Sequence, residues 1–201
     1  MEIGPDHDID PGVRLGYRTG RRIADAALVI GPAARIRSGA VIYGGTRIGH
    51  GLQTGHNVVI REENVIGDNF ALWNNSTIDY GCRIGNNVKI HTNVYIAQFT
   101  TIEDDVFIAP GVTVANDIHP GCPFSDACMR GPTIKRGAQI GVNATLLPFI
   151  TIGEHAVIGS GTVVTRDVPP YTVVCGNPGQ VIKTVHDLRC VTGLTDRPYH
   201  Y

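Results

Sequence analysis

Two histidines and one asparagine near the middle of this 201-residue chain have the types and settings for acid–base chemistry. His119 stands in "NDIHP", at the threshold of the irregular, turn-rich run "PGCPFSDACMRGP"; His91 and Asn93 stand two residues apart in "VKIHTNVYI". An imidazole titrates near neutrality and can take a proton from an alcohol or ammonium nucleophile. Long loops inserted in compact folds are usually functional. His119 is therefore the first candidate for a general base and His91 the second. The remaining histidines lie near the chain ends (His7, His200), at turn positions (His50, His56, His155) or in the C-terminal segment (His186). A solvated or locally bonded ring is the plain reading for each. The five cysteines are odd in number and none forms a Cys-x2-Cys pair, so they read as free thiols rather than zinc ligands. None adjoins His119 in a nucleophile's setting, which favours direct transfer over a covalent enzyme intermediate.

The elements that must position these residues follow from a six-residue beat. Stepping from Ile30 by six gives Ile36, Ile42, Ile48, Thr54, Ile60 and so on to Val114, and only Thr54 among the fifteen positions is not aliphatic. The beat resumes at Ile134 and runs to Val164, twenty residues after Val114 instead of six, so fourteen residues are inserted. Six is the period of neither a helix nor a flat strand. It suits a short strand, in which two inward residues bracket one outward residue, followed by a corner. Glycine and asparagine recur where corners need positive φ. Stacked coils of this kind bury a continuous aliphatic column and pair each strand with the coil above and below. Three hexads close an 18-residue coil. Asn57, Asn75 and Asn93 then share one corner column, His56, Asn74 and Thr92 a second, and Gly55, Trp73 and His91 a third. In such a ladder, Asn57 and Asn75 read as structural corner residues.

These repeats resemble those of the hexapeptide-repeat acyltransferases, over about residues 24 to 184. "DVPPYTVVCGNPGQVIKTV" resembles that family's end-of-helix segment, with Gly179 where alanine is usual. The resemblance implies an all-β, left-handed parallel β-helix of about seven coils. The expected layout is an N-terminal cap over 1–22, the β-helix over 23–170 with a loop at about 120–133, and a C-terminal segment over 171–201. Residues 181–189 are expected to form a short helix, and the tail to Tyr201 to be loose.

The resemblance also implies the chemistry. "IHP" at the loop entry resembles sugar and xenobiotic O-acetyltransferases, whose histidine there is the base. "VKIHTNVYI", "IEDDVFIAPGV" and "RGPTIKRGAQIGVNATLLP" look more like nucleotide-sugar N-acetyltransferases, in which an asparagine matching Asn93 meets the substrate amine. The expected activity is acetyl transfer from acetyl-CoA to the amine of a nucleotide-linked amino sugar. Asn93 and His91 would contact the acceptor and His119 would take the proton. The alternative is O-acetylation of a sugar or antibiotic hydroxyl. Acetyl-CoA enters as co-substrate, with Lys135, Arg136, Arg166 and Lys183 expected near its phosphates. Corner amides at Gly141, Gly159 and Ser160 are expected to line its pantetheine arm, and an amide near Gly141 or Ala109 to face the oxyanion. Metal-dependent β-helix enzymes place two zinc-binding histidines about five residues apart, and no His-x4-His occurs here.

Composition sets the partners. A net charge of −1 gives no basic field for nucleic acid. No run approaches the roughly 18 apolar residues of a membrane span. The N-terminus "MEIGPDHDID" lacks the parts of a signal peptide, so a cytoplasmic protein is expected. The outward rows Val41, Val59, Thr77, Tyr95, Thr113 and Gln53, Ala71, Lys89, Phe107 are too apolar to be fully solvated. They fit the family's homotrimer, with active sites between subunits.

Overall fold

The computed structural model describes residues 1–199. Within them, strands of two or three residues recur every six positions and stack into three parallel sheets, here called faces I, II and III. Residues 18 apart pair strand to strand, as in Val65 with Arg83, Ala71 with Lys89 and Thr77 with Tyr95. The result is a triangular prism, the all-β parallel β-helix expected from the hexads. The stepping residues form its core: Ile36, Ile42, Ile60, Ile78, Ile90 and Ile108 are fully buried. The exception, Thr54, is buried as well, and its Oγ1 accepts a hydrogen bond from the Arg37 N–H at 2.9 Å.

Each corner turns on the fourth residue of its hexad. From Ala33 to Gly111, all fourteen such positions have φ between 55° and 81°. Asparagine or glycine fills ten of these fourteen corners because both tolerate left-handed backbone at low cost. The predicted asparagine column forms at this position, the Asn57 amide donating to Asn75 at 3.4 Å, and a second column that was not predicted joins Asn69 to Asn87 at 3.1 Å on the I/II edge.

The described residues wind eight coils, one more than the sequence reading gave, because the chain enters the prism at Glu2 rather than near residue 23. Strands Glu2–Ile3, Asp8–Ile9 and Arg14–Tyr17 pair with Val29–Ile30, Arg35–Ile36 and Val41–Tyr43. Ile3, Ile9 and Leu15 keep the six-residue beat. A nine-residue insertion before Ile30 hides its continuity, since Ile3 pairs with Ile30, 27 residues on instead of 18. Residues 18–26 are thus an insert leaving the III/I edge of the prism, and Leu28 is already back in the core. The longer insert leaves the same edge, between Thr113–Val114 and Thr133–Ile134, and Val114 pairs with Leu146 as a fourteen-residue insertion requires.

The C-terminal segment departs from expectation too. Thr172–Cys175 lies parallel to Val157–Ile158 on face II, and Gln180–Thr184 returns antiparallel to it. The expected helix over 181–189 is strand followed by a 3-10 turn, Val185–Asp187, capped by Thr184 and Asp187. Val181, Ile182 and Thr184 are β-branched and cover the open end of the sheet. The tail is described as far as Tyr199; His200 and Tyr201 lie outside the described residues.

Candidate active site

The candidate residues occupy different edges of the prism. His91 and Asn93 lie on the II/III corner of the fifth coil, between strands Lys89–Ile90 and Tyr95–Ile96. Along this same edge follow Ala109, Gly141 and then Gly159 with Ser160, so six of the expected residues fall in one line. From His91 to Gly159 is three coils, about 14 Å at the usual strand spacing. Lys135 and Arg136 lie on the I/II edge, Arg166 on the III/I edge and Lys183 on the C-terminal hairpin. A single chain does not bring these four cations together.

His91 packs its ring against Phe107, with centroids 5.1 Å apart and planes at 58°. Burial, followed by the charge of Lys89, holds its pKa below the ordinary imidazole value. The imidazole is therefore neutral at pH 7, as a proton acceptor must be. One coil below it on the edge, the buried Nε1 of Trp73 has no hydrogen-bond partner among the described residues. Asn93 is exposed, has φ 59° and donates its backbone N–H to Asn74 O at 3.0 Å.

The expected amides divide: that of Ser160 is open, whereas those of Ala109, Gly141 and Gly159 are already bonded. The N–H groups of Ala109, Gly141 and Gly159 are already donated to Ile140, Ile158 and Val174, at 2.9, 2.8 and 2.8 Å. None can stabilise an oxyanion while the coils stay stacked. Gly141 is glycine for stacking: a Cβ there would come within 2.6 Å of Ile158 O. The next residue along each corner is the open one. In some lower coils its N–H is capped by a carboxylate or amide oxygen of the coil above, as Asp68 caps His50 on the I/II edge and Asn74 caps His56 on the II/III edge, each at 2.8 Å. At Val142 and Ser160 no such cap is present among the described residues. Both line an open groove of about 310 Å³ with Phe107, Ala109, Gly141 and Gly159.

The expected phosphate ligands are partly committed. Lys135 pairs with Glu103 at 2.6 Å, and Arg136 with Asp104 at 2.8 Å and Asp105 at 3.3 Å. Arg166 donates to the Gln180 side chain.

His119 does not end a strand with an outward ring, as its hexad position predicts. The strand stops at Val114, and His119 sits five residues on, in the first turn of the loop, where its carbonyl accepts from Cys122 N–H at 3.0 Å. Asp117 holds this turn, accepting from His119 N–H at 2.9 Å and from the Ser125 hydroxyl at the helical turn Ser125–Cys128. The His119 ring is exposed and belongs to the III/I edge. His119 and His91 thus flank face III from opposite sides.

Sequence reasoning missed the charged cluster at the III/I edge. Arg61 pairs with Asp79 at 2.9 Å and with Glu62 at 3.0 Å, and the Tyr95 hydroxyl donates to Asp79 at 2.9 Å. Opposite charges 18 residues apart, at Arg61 and Asp79, were its signal. Among the described residues no group of three or more His, Cys, Asp or Glu could hold a metal ion, and no helix is long and apolar enough to cross a membrane.

An 18-residue coil built of aliphatic hexads, with one corner line carrying histidine and open amides, defines a class. The model for "Bacterial transferase hexapeptide (six repeats)" matches residues 65–98, 81–116 and 131–166. Over these stretches the chain carries the repeats of that transferase family. It is 34% identical over 119 residues to galactoside O-acetyltransferase of Escherichia coli (strain K12), covering 51% of this chain and 57% of that one. It is 30% identical over 189 residues to the bifunctional protein GlmU of Thermotoga petrophila, covering 90% of this chain and 35% of that one. A solved serine acetyltransferase in complex with CoA superposes with a TM-score of 0.43 at 30% identity, over 50% of this chain and 39% of that one. The chain spans from about a third to little more than half the length of the curated relatives it matches.

Proposed function

We propose that this chain is an acetyltransferase that moves the acetyl group of acetyl-CoA to the amine of a nucleotide-linked amino sugar. The observation that carries the reading is the II/III edge, where a neutral His91 and Asn93 stand in line with the uncapped amides of Val142 and Ser160. These amides suit the amide-bearing pantetheine arm, which then delivers the thioester towards His91. The acceptor nitrogen attacks the carbonyl, its proton passes to an imidazole, and the thiolate of CoA leaves and is protonated. A homotrimer packed through face III would set the III/I edge of one copy against the II/III edge of the next. His119 of one copy then meets His91 and Asn93 of its neighbour, and His119 is the base. The partly apolar row Val41, Val59, Thr77 and Tyr95 supplies that interface.

The match to a galactoside O-acetyltransferase and the His119–Pro120 pair favour a second reading, in which the acceptor is a sugar hydroxyl. A thiol-release assay with acetyl-CoA against amino nucleotide-sugars and neutral sugars tests both. Turnover confined to the amines supports the first reading; turnover confined to hydroxyl acceptors replaces it with the second, and none with either class rejects both. Light scattering should return a mass near three chains, and a monomer would remove the composite site.

A further inference from the structure

The N-terminal insert builds a second cavity, away from the II/III edge. Tyr17, Arg18, Thr19, Arg21, Arg22 and Gly44 are among the residues enclosing about 510 Å³, a volume in the range of small-molecule sites. Its walls are fixed. Gly44 N–H donates to Tyr17 O at 3.0 Å and Gly45 N–H to Ala27 O at 3.1 Å. Gly44 lies so close to the insert that a Cβ would come within 2.5 Å of Ala26 O. Arg21 anchors the insert to the prism through Glu62 at 3.1 Å and Glu63 at 3.2 Å.

The charge here is unbalanced. Glu62 and Glu63 are taken by Arg21, and Asp25 pairs with Arg47 at 2.6 Å. No carboxylate among the described residues pairs with Arg18 or Arg22, and both residues line the cavity. Two unpaired arginines suit phosphate oxygens, which a guanidinium meets through parallel N–H donors. The Tyr17 ring, 43% exposed, meets Tyr43 edge-on at 5.1 Å and keeps surface for a flat group.

We propose that this cavity binds a nucleoside diphosphate, with Arg18 and Arg22 on its phosphates and Tyr17 beside its base. Both the acceptor's nucleotide and the ADP portion of CoA carry this chemistry. Position favours the acceptor, an assignment that rests on the proposed function. The cavity lies at Gly44 on the same III/I edge as the loop of His119. From Gly44 through Glu62, Tyr80 and Gln98 to Asn116 is four coils, about 19 Å, comparable to the length of an extended nucleotide-linked sugar. The open amides that suit CoA lie on another edge.

Calorimetric titration of the full chain with uridine diphosphate and, separately, with CoA tests this. Uridine diphosphate should bind the wild type, and Arg18→Gln/Arg22→Gln should weaken it at least tenfold while leaving CoA affinity and the melting temperature unchanged. Equal binding to both proteins, or no binding to the wild type, overturns the site. Loss of CoA binding in the variant overturns the assignment to the acceptor. Neither titration requires turnover, so the site stands if acetyl transfer fails. Acetylation of an unlinked amino sugar without uridine diphosphate binding would sink this inference alone.

Discussion

The carboxylate of Glu62, fully buried, accepts a hydrogen bond at 3.1 Å from Arg21, which lies 41 residues earlier in the chain. Arg21 also places its guanidinium 3.6 Å from the centroid of the Tyr80 ring. One side chain thereby ties the first insert to the third and fourth coils. Burial opposes the charged form of Glu62, but hydrogen bonds from its own backbone N–H, Thr19, Arg21 and Arg61 outweigh it and hold its pKa below the ordinary value. Hydrogen bonds to a charged group are worth about 1.5–3 kcal/mol, and Arg21 and Arg61 keep Glu63 and Asp79 when Glu62 is neutralised. Glu62→Gln should lose stability of that order in urea denaturation. Because the folded pKa is lowered, this contribution is present above the unfolded value of 4.5 and fades as pH falls through the folded one. A Glu62→Gln protein as stable as wild type at pH 7 would contradict the account.

His91 should titrate below the ordinary histidine value, and NMR of its ring protons against pH measures this. Its folded state binds protons less readily than its unfolded state. Stability should therefore fall as pH drops from about 6.5 to the lowered pKa, then level off. Phe107→Ala uncovers the ring and should move the pKa back towards 6.5. An unmoved value would assign the shift to something other than this packing.

Excising residues 117–130 removes fourteen residues and restores the hexad: Val114 then precedes Ile134 by six, with Gly131 at the corner position that needs positive φ. The variant should fold, with an unchanged β-sheet circular dichroism spectrum. It should lose transfer activity by a factor of about 10²–10⁴, the usual worth of a general base. His119→Ala in the intact chain should show a similar loss with CoA binding retained. Full activity in either protein would remove His119 from the chemistry.

Asn93 carries two roles that two substitutions separate. Asn93→Ala strains a corner at φ 59° and should cost about 1–2 kcal/mol in thermal unfolding. Asn93→Gly keeps the corner and should leave stability within a few tenths of a kcal/mol, as glycine meets no penalty there. If the amide contacts the acceptor, the glycine variant alone should raise the acceptor KM several-fold with its melting temperature intact. Unchanged kinetics would leave Asn93 a corner residue.

The hexads made the prism, its core and its ladders legible, because one inward isoleucine per six residues leaves few ways to fold. The same rhythm was present at Ile3, Ile9 and Leu15 but broke after a single coil, too short a run to stand out. Strand ends were harder to read. The hexad count carries His119 to an outward strand position, whereas the strand stops at Val114, five residues earlier, and Asp117 holds His119 in a turn. Val181 and Ile182 were read as helix because the pull of an open sheet end is a tertiary effect. The commitment of Gly141 N–H to Ile158 depends on which corner amide faces the next coil, and spacing alone does not distinguish that. Nothing in the sequence marks Arg18 and Arg22 as unpaired, because that depends on Arg21 and Arg47 taking Glu62, Glu63 and Asp25 in the fold.

Both inserts leave the prism at the III/I edge, and the coils above and below each resume the same ladder. That edge behaves as a socket. Segments of arbitrary length can be plugged in at a corner without disturbing the repeat, provided each returns the chain in phase. Ligand preference can therefore be rewritten by exchanging nine or fourteen residues while the spine stays untouched. Engineers seeking new acceptors would graft at residues 18–26 and 117–130 and leave the isoleucines alone.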